Sequence, residues 1–150
     1  MSNPVVEWLK TLVERQASDL FLTAGFPPAL KLDGRVVPLS ETKLSGAETQ
    51  ALAKSVMNDK QWNAFLNSRE ANFAIYDEAV GRFRVSAFMQ QGRVGIVFRT
   101  INTQIPELDS LHLPPILRDL SMMPRGLVLL VGATGSGKST PLAAMIGYRN

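Results

Sequence analysis

The 150-residue chain contains no cysteine, which excludes disulfide scaffolds and thiolate metal sites and fits a reducing compartment. Histidine occurs once, at His112, beside Pro114 and Pro115. One imidazole without a partner makes neither a metal centre nor a catalytic triad, so His112 reads as a surface residue. No Ser/His/Asp or Cys/His constellation can be assembled, and hydrolytic nucleophile chemistry falls away with it. Charge of one sign is scarce too: Lys+Arg 16 against Asp+Glu 13 leaves +3, spread along the chain, which argues against a nucleic-acid partner. The longest wholly apolar stretch, residues 126–133, falls far short of the roughly 18–20 residues that cross a bilayer, so no transmembrane segment is expected. The first residues carry Pro4, Glu7 and Trp8 rather than a basic segment and an apolar block, so they do not read as a secretory signal. A cytoplasmic location is expected. What the chain has in quantity is apolar side chains, 45% against 19% charged. That is the composition of a soluble globular protein, of one ordinary domain or two small ones.

Asn3-Pro4 has the N-cap and first-position chemistry of a helix start. Val5, Trp8, Leu9, Leu12 and Val13 follow at helical spacing to about Gln16. Asp19–Thr23 reads as a short strand, with Asp19 at its entry, and Gly25-Phe26-Pro27-Pro28 as a loop. Asp33-Gly34, set between Ala29–Leu32 and Arg35–Val37, marks a tight hairpin. Ser45-Gly46-Ala47-Glu48 has capping-box spacing and should open a helix through Val56. Trp62, Phe65 and Leu66 mark a second short helix with those three side chains in the core. Asn72–Tyr76, Arg82–Met89 and Val94–Ile101 alternate with period two, as antiparallel strands do. Residues 1–101 therefore read as an α+β domain with four or five strands. A proline-bearing connection, 102–113, precedes a short helix near Ile116–Met122. Residues 127–131 are apolar at every position, the habit of a strand buried on both faces in a parallel sheet. The fold class is thus α/β overall, an α+β domain followed by a strand–loop–helix unit at 114–150.

The loop of that unit carries the chemistry. Gly132-Ala133-Thr134-Gly135-Ser136-Gly137-Lys138-Ser139 fits GxxxxGK[ST], the phosphate-binding loop or Walker A pattern. Glycines let successive backbone N–H groups turn inward onto an anion. Lys138 is spaced to reach the β- and γ-phosphates, and the Ser139 hydroxyl to ligate Mg2+. The helix that begins there points its positive end at the phosphates. A second candidate lies in the first domain. If Gln91-Gly92 form a two-residue turn, Gln90 faces Arg93 and Arg84 faces Arg99, and two like charges directly opposite call for an anion or carboxylate between them. A slip of one residue would put them on opposite faces.

RGLVLLVGATGSGKSTPLAAMIGYRN, residues 125–150, resembles the start of the motor domain in type IV pilus retraction ATPases of the PilT/PilU group. ASDLFLTAGFPPALKLDGRVVPL, MNDKQ and GRFRVSAFMQQGRVGIVFRTI are similar to the N-terminal domain of the same group. Phe21 stands where PilT members usually carry His, and GATGSGKS with MIGYRN looks closer to the PilU side. The resemblance implies membership of the secretion-ATPase superfamily. It implies a PAS-like domain at 1–101, a linker at 102–113 and the start of a RecA-like domain at 114–150. It also implies ATP and Mg2+ as cofactors, twitching motility as the function, and a cytoplasmic homo-hexamer peripheral to the inner membrane. Partners would be an inner-membrane platform protein and a partner retraction ATPase. Gly132–Ser139 and Thr140 would bind ATP, Thr140 through its backbone N–H to the α-phosphate. Arg82, Arg84 and Arg99 would sense the γ-phosphate, and Lys138 would be one part of a catalytic site.

Two departures from the family stand out. The family's acidic box, Walker B and histidine motifs have no counterpart here, so the chain corresponds to an N-terminal part of such a motor. No acidic residue follows Asp119, whereas phosphoryl transfer needs a further Mg2+-positioning carboxylate. Pro141 stands where relatives carry Ser or Thr. Its missing N–H is a first-turn orphan, so the helix should survive, although Thr140 before it is pushed from helical geometry and the nucleotide grip weakened. Two other functional readings share the motif: a non-catalytic oligomerisation or interaction module with a vestigial loop, and a small-molecule kinase. The kinase leaves residues 1–101 without a role.

Overall fold

Turn chemistry sets the strand pairing of the first half of the chain. Asp33 and Gly34 both take positive φ, at 47° and 80°, and Gln91 and Gly92 do the same at 50° and 72°. Two successive left-handed residues match the twist of the flanking strands, so each hairpin closes without slack. The computed structural model describes residues 4–101, 105–133 and 136–150. It divides into two compact units, Met1–Ile101 and Asn102–Asn150. The N-cap expected at Asn3 lies outside the described residues.

The first unit runs α1 (Pro4–Glu14), β1 (Asp19–Thr23), β2 (Ala29–Leu32), β3 (Arg35–Pro38), α2 (Gly46–Ser55), α3 (Asp59–Ser68), β4 (Glu70–Asp77), β5 (Gly81–Gln90) and β6 (Arg93–Thr100). Six strands form one sheet in the order β3-β2-β1-β6-β5-β4, more than the four or five expected. Every pairing is antiparallel, and β1 meets β6 in the middle of the sheet. Alternation separates the two faces cleanly. Leu20, Leu22, Leu30, Phe83, Val85, Ala87, Ile96 and Phe98 point inward and share one core with Leu9, Leu12, Leu52, Trp62 and Phe65. Phe65, Phe83 and Phe98 are wholly buried, each contributing about 1.5–3 kcal/mol of transfer free energy.

Local signals explain the helices. Ser45 accepts from the Glu48 backbone while Glu48 accepts from the Ser45 backbone, the reciprocal box expected at α2. Asn58 and Gln61 do the same at α3. One core expectation is corrected. Leu66 is exposed, because on α3 only Trp62 and Phe65 lie over the sheet. Phe21 is half-exposed, since Leu20 and Leu22 claim the inner face and period two sends Phe21 to the other.

The second unit contains a 3₁₀ turn (Leu108–Leu111), α4 (Ile116–Met122) and α5 (Ser139–Arg149). Leu108, Ala144 and Met145 form a small core flanked by Leu111, Leu113, Leu117, Leu120 and Leu130. Part of the stretch expected as a connection, 102–113, is thus packed within this unit. Arg149 donates to the carbonyls of Ser121 and Met123 at 3.4 and 2.7 Å, tying the end of α5 to the C-terminal carbonyls of α4, which lack helical partners. The strand expected at 127–131 is not formed. The segment is unpaired, with Leu127 82% and Val131 90% exposed. A strand buried on both faces needs neighbours along its edges, and the described residues supply none.

Candidate functional site

The loop between residue 132 and α5 is shaped by its glycines. Gly137 has φ +83°, a conformation that side chains resist, and open space where its Cβ would stand. Gly132 is under a different constraint: a Cβ there would lie 2.6 Å from Ser136 Oγ and 3.6 Å from Lys138 Cγ and Cδ. The Lys138 stem therefore lies over Gly132 within ordinary van der Waals reach of a Cβ, and only the Ser136 hydroxyl would have to move to admit one. Ala133 closes the turn. Its carbonyl accepts from the Ser136 N–H at 3.1 Å and from Lys138 Nζ, which holds the ammonium back over the loop. Thr134 and Gly135 lie outside the described residues.

Lys138 is the N-cap of α5, with helical φ −56° and ψ −38°, and no side chain caps the helix. The first N–H groups of a helix have no partner within it, and their positive end favours an anion. Ser139 and Thr140 are exposed in that first turn. Thr140 is helical despite preceding Pro141, so the proline leaves the helix start intact and removes one donor. Gly132, Ala133, Ser136, Gly137, Lys138, Ser139 and Thr140 are thus contiguous around a cationic, donor-rich loop. The space left by Gly132, the positive φ of Gly137 and the tethered ammonium fit a polyphosphate. For a metal the fit is narrower: Ser139 offers one hydroxyl, and the described residues contain no group of three or more His, Asp or Glu that could hold an ion.

The arginines of the first unit fall on the face of the sheet opposite the core. Arg84 stands directly opposite Arg99, and Gln90 opposite Arg93, in the β5–β6 register. Arg82 precedes Arg84 by two residues on β5, hence on the same face. Among the described residues Arg82 and Arg84 have no ion-pair partner, whereas Arg99 Nε donates to Asp19 Oδ1 at 2.8 Å. The local sequence marks Asp19 only as a residue at a strand entry. Its contact depends on β1–β6 pairing across 80 positions, and no local pattern signals that. His112 is exposed, as expected, with φ +51°. No helix among the described residues is long and apolar enough to cross a membrane.

No protein-family model matches the chain. The type IV pilus ATPase PilU of Pseudomonas aeruginosa is 54% identical over 142 residues, covering 95% of this chain and 37% of PilU. PilT of the same organism, a type IV pilus retraction ATPase, is 42% identical over 146 residues, covering 97% of this chain and 42% of PilT. The crystal structure of the pilus retraction motor PilT with bound ADP matches with a TM-score of 0.86 at 40% identity, over 96% of this chain and 42% of that one. The chain therefore spans about two-fifths of the length of these relatives. Its α/β fold matches that part of the motor, and its close homologues are the PilU and PilT type IV pilus ATPases.

Proposed function

We propose that the chain is the N-terminal, ATP-binding part of a type IV pilus retraction motor subunit, with twitching motility as the output of the whole assembly. The observation that carries this is the loop. A chain 54% identical to a pilus ATPase over its matched length carries GxxxxGKS with the Lys138 ammonium held over it and an uncapped helix behind it. Backbone N–H groups from Gly132 to Gly137, Thr134 and Gly135 among them, donate to phosphate oxygens. Thr140 adds its N–H to the α-phosphate. Lys138 is the point charge facing the β- and γ-phosphates, and it is the part of the catalytic site that lies within these residues. Ser139 is the protein ligand for Mg2+, which when bound neutralises charge on the phosphates.

Residues 1–101 are, in this reading, the PAS-like domain, and 114–150 the opening of a RecA-like domain joined through 102–113. Arg82, Arg84 and Arg99 are the residues that sense the γ-phosphate. The complete motor is a homo-hexamer on the cytoplasmic side of the inner membrane, working with a membrane platform protein and a partner retraction ATPase. Walker B and the remaining hydrolytic residues lie outside this chain. The second reading is a non-catalytic oligomerisation or interaction module with a vestigial loop.

Titration of the purified chain with Mg-ATP, alongside a phosphate-release assay, separates the two. The expected result is weak binding abolished by Lys138→Ala, with no turnover above background. Binding indifferent to Lys138→Ala, or none at millimolar nucleotide, favours the vestigial loop. Sustained Lys138-dependent turnover refutes the placement of the catalytic carboxylate outside this chain.

A further inference from the structure

Asp19 is a buried charged residue that the proposed function leaves unused. It is 3% exposed on β1, in the central part of the sheet. A carboxylate there is costly unless donors satisfy it, and two do: Ser18 Oγ at 2.7 Å and Arg99 Nε at 2.8 Å. The two carboxylate oxygens divide the work, Oδ2 taking the hydroxyl and Oδ1 the guanidinium. Arginine carries five N–H donors in a rigid planar fork, and Asp19 takes only the one on Nε. Among the described residues no acceptor takes the terminal N–H groups, and the Arg99 side chain remains 66% exposed.

The strand register extends this contact into a row. Lys31 lies opposite Asp19, Asp19 opposite Arg99, and Arg99 opposite Arg84. The charges read plus, minus, plus, plus across four strands on one face. The carboxylate of the row is engaged by Arg99, and Arg84, directly opposite Arg99 in the register, has no ion-pair partner among the described residues. Opposed like charges are destabilising, and an anion would relieve them.

We infer that Asp19 is a positioning residue. It anchors Arg99 through Nε and leaves the terminal nitrogens of Arg99, on the sheet face that Arg84 shares, as a contact for a polyphosphate chain. Ser18 fixes the carboxylate that does the anchoring. The inference rests on the proposed phosphate-contacting role of Arg84 and Arg99.

The test turns on a sign. Asp19 is an anion near an anion site, so if it acted only through its charge, Asp19→Ala would tighten phosphate binding. If it positions Arg99, Asp19→Ala weakens it. The experiment titrates the 150-residue protein, with arginine side chains labelled for NMR, against inorganic tripolyphosphate, ATP and AMP. It follows the Nε–Hε signals of Arg84 and Arg99 and the hydrogen-exchange rate of Arg99 Hε. Asp19→Ala is expected to speed that exchange at least about tenfold and to weaken tripolyphosphate and ATP binding about fivefold. AMP should bind poorly throughout, which separates recognition of a phosphate chain from recognition of the nucleoside. Ser18→Ala keeps the charge and removes the bond that fixes the carboxylate; it should weaken binding about twofold, and it carries the test if Asp19→Ala does not fold. Unchanged or tighter binding in a folded Asp19 or Ser18 variant overturns the inference. If Arg99→Ala itself leaves binding intact, the phosphate role of the arginines fails first, and the assignment of Asp19 with it.

Discussion

Two glycines of the phosphate loop should fail for different reasons when each is replaced by alanine, and the difference can be measured. Gly137 has φ +83° with nothing near its missing Cβ, so Gly137→Ala meets no clash. Its penalty is torsional, about 1–2 kcal/mol for holding an L-residue in the left-handed region. In the variant the competent loop is a minor conformer, and apparent affinity falls in proportion to its population. That corresponds to a Kd for Mg-ATP about 5–30-fold weaker, at about 1.4 kcal/mol per decade. For Gly132 no left-handed φ is involved; its Cβ would stand 2.6 Å from the Ser136 hydroxyl. A hydroxyl at the end of a short side chain can rotate away at about 0.5–1 kcal/mol, so Gly132→Ala should weaken binding only about 2–5-fold. Removing the hydroxyl removes the cause: in a Ser136→Ala background the Gly132→Ala penalty should vanish, while that of Gly137→Ala persists. NMR titration suits the millimolar affinities expected. A Gly137→Ala Kd within twofold of the parent, or two penalties equally rescued by Ser136→Ala, refutes this account of the loop.

Stability should respond asymmetrically along the charged row. Arg84→Ala relieves the like-charge pair and should leave the urea midpoint unchanged or slightly raised. Arg99→Ala strips a buried carboxylate of its ionic partner and should cost about 1–2 kcal/mol, below the full penalty because the guanidinium is largely solvated. Unfolding followed by the fluorescence of Trp8 and Trp62 measures both, and equal losses would contradict the asymmetry. The Glu48 carboxyl is held below its ordinary value of 4.5, chiefly by the Ser45 backbone N–H and then by the Ser45 side chain. A depressed folded-state value means the capping box stabilises above the ordinary value and is lost as pH falls through the depressed one. Thermal melts from pH 6 down to about 3 should therefore decline less steeply in Glu48→Gln than in the parent, and superimposable profiles would argue against the box.

How much of this was legible in the sequence depended on how local each determinant is. Asp33-Gly34 and Gln91-Gly92 encode their own turns, and a two-residue turn fixes register, so the juxtaposition of Arg84 and Arg99 followed from counting. Ser45 and Glu48 cap a helix within four residues and could be read directly. Asp19 could not, because its meaning lies 80 positions away. The exposure of Phe21 needed knowledge of which face of β1 the helices cover. Residues 127–131 expose the converse weakness: an apolar run records the burial a strand requires, and the neighbours that would provide it must come from elsewhere.

The placement of β1 beside β6 also has a consequence for synthesis. β4, β5 and β6 form a meander that can pair as soon as it emerges, through short loops that close at little entropic expense. β1 and β2 are made first, but their connection to the rest of the sheet waits for residues 93–100. Until those have left the ribosome, Leu20 and Leu22 have no strand on their β6 side, and β1, β2 and β3 remain a separate three-stranded piece. Sheet completion in the first unit is thus a late, non-local event with the slow closure that high contact order brings. The chain must pass through a stage in which about ninety residues have been made and the sheet is still in two halves.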